Sequence, residues 1–134
     1  DLADLKQMAQ AEPFTVLRSI EKLDSVKLKE VLPIMEEAML VKDPASLLYM
    51  FSDHKNDPHI YNPVMVRRAF EAAAKQIEKE DNMGISSMIL VNAGLLKDVP
   101  NGDAIVKLAF ERTTPIVIVD EEYRTEYLKY PAAA

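Results

Sequence analysis

Apolar residues recur at intervals of three and four along most of this chain, which is the spacing of amphipathic helices. The pattern is clearest over residues 62–79, where an apolar stripe alternates with mostly charged positions. The stripe consists of Val66, Ala69, Phe70, Ala73 and Ile77. Shorter stripes predict further helices over residues 1–11, 14–23, 25–42, 44–54, 85–96 and 104–112.

Polar residues mark where the predicted helices start. Asp43-Pro44 and Asn62-Pro63 each place a capping side chain before a proline, whose missing N–H costs nothing in the first helical turn. Further caps are predicted at Asp24, at Asp81 or Asn82, and at Asn101 or Asp103. Pro33 falls inside a predicted helix, so we expect a kink there or a restart near position 32.

One stretch of the chain recurs. Residues 65–71, Met-Val-Arg-Arg-Ala-Phe-Glu, reappear at 105–111 as Ile-Val-Lys-Leu-Ala-Phe-Glu, and a looser copy lies at 31–36. Recurrence at this period is typical of stacked helical hairpins, because one hairpin cannot cover its own apolar face. We therefore predict an all-α domain over 1–134, a short α-solenoid of stacked antiparallel hairpins at 13–42, 44–80 and 82–113, with about seven to eight helices. A non-repetitive helical bundle is the alternative.

The C-terminal segment, residues 116–131, is ambiguous. The run Ile-Val-Ile-Val at 116–119 is β-branched, but no second strand candidate exists to pair with it. We expect a helix start or an extended docking segment there, followed by a closing helix over 120–130. Tyr123, Tyr127 and Tyr130 are spaced to share one face of that helix, and Tyr123 and Tyr127 are candidate partner contacts.

Composition narrows the class of protein. The chain of 134 residues is 49% apolar and 28% charged, which suits one globular domain. It has no cysteine, which excludes a disulfide framework, thiolate chemistry and Cys-ligated zinc and is consistent with an intracellular location. No apolar run approaches the roughly 20 residues of a membrane span, so no membrane partner is expected. Because the chain begins at Asp1, a processed protein or an excised piece is expected.

Candidate chemistry is limited to one turn. Residues 53–59 contain both histidines, His54 and His59, with the carboxylates of Asp53 and Asp57, and such groups can bind a metal. Their spacing matches no established metal motif, and turns favour Asp, Asn and Pro for backbone reasons alone. We therefore favour a structural turn, and no metal, cofactor or catalytic residue is predicted.

Basic residues give a second candidate surface. Arg67, Arg68 and Lys75 lie on one predicted helix and would be available to contact RNA phosphates. Glu71 and Glu78 on the same helix weaken the positive electrostatic field of these residues. We therefore favour an ordinary solvent-exposed face over an RNA-binding one. The chain carries 22 acidic and 16 basic residues, a net charge of −6, which disfavours non-specific binding to nucleic acid.

Two segments carry a family resemblance. Residues 44–51, Pro-Ala-Ser-Leu-Leu-Tyr-Met-Phe, followed after a loop by residues 64–70, Val-Met-Val-Arg-Arg-Ala-Phe, resemble octotricopeptide-type repeats. These are similar to the helical repeats of FAST kinase-like proteins, and the resemblance spans residues 13 to 113. It implies an α-solenoid that serves RNA processing or ribonucleoprotein assembly in mitochondria or another organelle. This chain departs from the family in being short and acidic.

These observations support three functional hypotheses. The leading one is a non-enzymatic adaptor or scaffold that acts through protein–protein contacts, as a subunit of a ribonucleoprotein or organellar assembly. The alternatives are direct RNA binding by the helical repeats and a small metal-dependent enzyme that uses the turn at residues 53–59.

Overall fold

The computed structural model describes residues 1–113, and they form seven α-helices and two 3-10 segments without a strand. The α-helices are α1 (Leu2–Ala11), α2 (Pro13–Arg18), α3 (Ser25–Lys42), α4 (Pro44–Asp53), α5 (Pro63–Lys79), α6 (Met83–Val91) and α7 (Gly102–Glu111). The 3-10 segments, Ile20–Lys22 and Ala93–Asp98, follow α2 and α6. The predicted all-α class is confirmed.

The helices are arranged in two layers. In the first layer, α1 packs on α3, α3 on α5, and α5 on α7. The second layer contains α2, α4 and α6, and α4 packs directly on α6. Each second-layer helix also packs on the first-layer helices before and after it in the chain. The chain therefore builds three stacked hairpins, α2–α3, α4–α5 and α6–α7, as predicted, with α1 extending the first layer at one end.

Side-chain caps begin five of the seven helices. The carboxylates of Asp1, Asp24 and Asp43 and the amide oxygens of Asn62 and Asn82 accept hydrogen bonds from backbone N–H groups of the first helical turn. These N–H groups have no partner within the helix, so each cap fixes a helix start. The starts predicted at Asp24, Asp43, Asn62 and Asn82 are confirmed. Asn101 precedes α7 but makes no such bond.

Of the kink and the restart expected at Pro33, the restart near position 32 does not occur, because α3 continues through Pro33 to Lys42. Leu32 and Met35, on either side of the proline, are buried, and their packing compensates for the lost backbone hydrogen bond. The helices expected over 14–23 and 85–96 are shorter than predicted: they end at Arg18 and Val91 and are followed by the two 3-10 segments. Apolar periodicity does not distinguish these two helix types over so short a run.

The recurring stretch is a packing unit. Its second and fifth positions are fully buried in the two closer copies. These residues are Val66 and Ala69 in one copy and Val106 and Ala109 in the other. Its acidic last position is exposed in both of these copies. The looser copy at residues 31–36 differs, because its last residue, Glu36, is buried.

Polar contacts connect successive members of the first layer at a constant spacing of 31 residues. The Lys42 ammonium donates to the Ala11 carbonyl, Arg68 pairs with Glu37, and Arg112 pairs with Asp81. Each of these contacts therefore joins residues separated by somewhat less than the distance between copies of the recurring stretch.

The predictions for residues 116–131, including the closing helix and its tyrosines, lie outside the described residues. Within residues 1–113, no helix combines the length and the apolar character that crossing a membrane requires.

Candidate functional site

Charge is distributed unequally between the two layers. The three helices of the second layer contain two charged residues, Arg18 and Asp53, one at the last position of α2 and one at the last position of α4. By contrast, α3 alone contains six charged residues and α5 contains six. Since charged side chains are the usual way to keep a helix face in water, the second layer departs from an ordinary solvated surface.

Solvent-facing side chains of the second layer are uncharged and largely apolar or hydroxylic. We call the exposed and half-buried positions of α2, α4 and α6, other than Arg18 and Asp53, the second-layer face. Tyr49 on α4 is 61% exposed, and Met83 at the start of α6 is 46% exposed. The half-buried members are Phe14, Thr15, Leu17, Ser46, Ser52, Ile85, Ser87, Met88 and Val91. Depletion of charge with enrichment of aromatic residues and methionine is the composition of protein interface cores.

The predicted metal-binding turn is rearranged by the fold. Nε2 of His54 lies 3.6 Å from an Asp53 carboxylate oxygen and 3.8 Å from a carboxylate oxygen of Glu21. Asp57 and His59 are not part of this group. The Asp57 carboxylate instead accepts the backbone N–H of His59 in a local turn.

The Glu21–Asp53–His54 group offers three ligand atoms within 4.8 Å of one another. Such a set could bind a divalent ion, but both carboxylates are exposed, at 75% and 56%, and the geometry is equally that of surface ion pairs. Sequence analysis missed Glu21 because it belongs to the first 3-10 segment, far from the turn in the chain.

Both candidate RNA-contacting arginines are engaged with carboxylates. The guanidinium of Arg68 donates to both carboxylate oxygens of Glu37, at 2.5 and 3.1 Å. Nε of Arg67 lies 3.4 Å from Glu71, one helical turn away. Lys75 is exposed on the same helix. The electrostatic field at this surface therefore has both positive and negative contributions.

A groove in the first layer contains a buried acid. Its volume is about 350 Å³, and it lies between α3 and residues 58–63, which connect α4 to α5. Glu36 lines it and is 4% exposed. Burial, followed by the neighbouring Glu37 carboxylate, raises the pKa of Glu36 from 4.5 to about 7, while the charge of Arg68 lowers it.

The connection that lines the groove together with Glu36 is well anchored. The Asp57 carbonyl accepts the N–H groups of Ile60 and Tyr61, and the Ile60 side chain is buried. The Tyr61 ring meets Phe51 edge-on, with ring centroids 6.1 Å apart. The groove therefore has a fixed wall. The spacing of residues 31–36 does not predict the burial of Glu36, since the matching acids of the other two repeat copies face water.

Comparisons of the chain with protein-family models, with curated proteins and with solved structures found no match, and so no enzyme family. The resemblance of residues 44–51 and 64–70 to octotricopeptide repeats stays a prediction. Evidence on function comes from the second-layer face and the Glu36 groove.

Proposed function

We propose that this protein is a non-enzymatic adaptor that binds a protein partner through its second-layer face. The observation that supports this most directly is the near absence of charge from α2, α4 and α6 in a chain that is otherwise rich in charge. Exposed apolar residues occur on both layers, which is normal for a protein surface, but on the second layer they are accompanied by almost no charge.

The physical reason concerns desolvation. A charged side chain that is buried at an interface loses its hydration, and this costs much free energy unless the charge is paired. Burying tyrosine, methionine or serine costs much less. Tyr49 supplies a large, stiff side chain in the middle of α4, and residues of this type often dominate binding energy. We therefore expect the partner to present an apolar surface with few charges, and the complex to resist salt.

The resemblance to octotricopeptide repeats would make that partner a component of a ribonucleoprotein or organellar assembly, and this is part of the proposal. Direct RNA binding is a separate hypothesis. It requires Arg67 and Arg68 to exchange their carboxylate partners for phosphates.

The experiment compares one apolar-to-acidic change on each layer. Tyr49→Asp alters the second-layer face, and Val64→Asp is the matched control, because Val64 is 59% exposed on the first-layer helix α5. Each variant is immobilised, exposed to native extract at low and high salt, and compared with wild type by quantitative mass spectrometry. Circular dichroism confirms that both variants are folded.

We expect wild type and Val64→Asp to retain the same partner at both salt concentrations and Tyr49→Asp to lose it. Loss of the partner with Val64→Asp but not with Tyr49→Asp would assign binding to the first layer. Release of the partner from wild type by high salt alone would show that charge drives the contact, and either result would refute the proposal.

A further inference from the structure

The Glu36 groove has no role in the proposed adaptor function, because it lies in the first layer. No hydrogen bond or ion pair within residues 1–113 reaches the Glu36 carboxyl. Its oxygens are not among the fully buried unpaired atoms of the described residues, so the carboxyl is open to a ligand from the groove.

Neighbouring charges do not supply a partner for the Glu36 carboxyl. Arg68 is the cation whose field stabilises the ionised form of Glu36, but its guanidinium nitrogens bind both carboxylate oxygens of Glu37. Glu37 is a second negative charge near Glu36, and it makes the electrostatic potential there more favourable for a cation. Glu36 lines the groove whereas Glu37 and Arg68 do not, so a cation that entered it would meet one carboxylate directly.

The walls of the groove determine what kind of cation fits. They combine polar and apolar groups, and the apolar or aromatic members are Leu28, Leu32, Pro33, Pro58, Ile60 and Tyr61. Lys29, His59, Asn62 and Pro63 complete the lining. A volume of about 350 Å³ accommodates a side chain or a small ligand. A hydrated metal ion would not use the apolar walls, whereas an ammonium group on a hydrocarbon stem would.

We propose that this groove binds a lysine side chain of a protein partner, with the methylene stem along Leu32 and Ile60 and the ammonium at the Glu36 carboxylate. A compact ammonium suits a single carboxylate, whereas the planar guanidinium of arginine favours the two-oxygen contact that Arg68 makes with Glu37. The net charge of −6 favours approach by a basic protein surface.

Binding should depend on pH. Glu37 on α3 and Arg68 on α5 influence the charge of Glu36, and Lys29 on α3 and His59 on the connection share the groove lining with it. Because the pKa of free Glu36 is about 7, the ionised fraction rises from about one tenth at pH 6 to about nine tenths at pH 8. Affinity for an ammonium group should therefore rise about tenfold over this range.

The probe is Nα-acetyl-L-lysine methylamide, titrated into the full chain and followed by amide chemical shifts of residues 58–63. Its norleucine analogue has the same stem without the ammonium, and n-butylamine tests free amines. Glu36→Gln keeps the shape of the side chain, and Glu30→Gln, an exposed acid on the same helix outside the groove, is the matched control. His59→Gln replaces the histidine of the groove lining.

We expect saturable shifts with the lysine probe and none with norleucine, a loss of affinity of roughly tenfold or more in Glu36→Gln, and no change in Glu30→Gln. The pH dependence should persist in His59→Gln. Equal binding of norleucine, unchanged affinity in Glu36→Gln, or binding of n-butylamine without binding of the lysine probe would each overturn the proposal. None of these results affects the Tyr49 experiment, so the two proposals are tested separately.

Discussion

The buried carboxyl of Glu36 should make the stability of this protein fall as pH rises. The pKa of Glu36 is about 7 in the folded state, against 4.5 for an unperturbed group. Below pH 4.5 the acid is protonated in both folded and unfolded chains and has no effect on stability. Between pH 4.5 and 7 the unfolded chain releases the proton while the folded chain retains it, so unfolding becomes more favourable.

The expected size of this effect follows from the same pKa values. A shift of one pKa unit corresponds to about 1.4 kcal/mol, so the change from 4.5 to about 7 destabilises the folded state by about 3 kcal/mol above pH 7. This is a large share of the roughly 5–15 kcal/mol by which small domains are stable. Glu36→Gln, which resembles the protonated acid, should remove the loss and be about 3 kcal/mol more stable than wild type at pH 8 and about equal to it at pH 4.5.

Urea unfolding at several pH values between 4.5 and 8, monitored by far-ultraviolet circular dichroism, measures the difference between the two proteins directly. Glu71→Gln is the matched control, because Glu71 occupies the same repeat position but is exposed. Its difference from wild type should stay small across this range. Parallel stability curves for wild type and Glu36→Gln would refute the reasoning, since they would show that Glu36 has the same pKa folded and unfolded.

Four further substitutions test the fold by urea unfolding. Asn62→Ala should cost about 1 kcal/mol because it removes the cap that accepts from α5, whereas Asn101→Ala, at an uncapped helix start, should be nearly neutral; equal losses would contradict this. Pro33→Ala should stabilise the protein by up to about 3 kcal/mol by restoring a helical hydrogen bond, and a loss would show that the ring's packing matters more. Phe70→Ala should cost about 3–5 kcal/mol because the ring is fully buried, and a loss below about 1 kcal/mol would contradict that burial.

Local rules predicted the helices because each helix start is encoded by neighbouring residues. Asp43 and Asn62 cap the first turn that follows them, so their effect is readable without knowledge of the fold. Pro33 shows the limit of such rules. Its local preference is to end a helix, but α3 is held in place by buried side chains on either side of it.

The candidate sites depend on contacts that sequence spacing does not reveal. Glu36 and Glu71 are equivalent in the repeat, yet Glu36 is buried in the groove that it lines with residues 58–63, whereas Glu71 is exposed. Glu21 approaches His54 for a similar reason, since the first 3-10 segment and the end of α4 meet in space. The uncharged composition of α4 and α6 was visible in the sequence, but its meaning required their assignment to one layer.

The constant 31-residue spacing of the first-layer contacts has a mechanical consequence. Two of these contacts join neighbouring helices of the layer, and the third joins Arg112, at the end of α7, to Asp81 in the turn after α5. Among the described residues, none of them joins α1 to α7. A pulling force on such a stack is carried by one hairpin boundary after another. When the described part of the chain is stretched from its ends, we expect it to unfold one hairpin at a time and not in a single event.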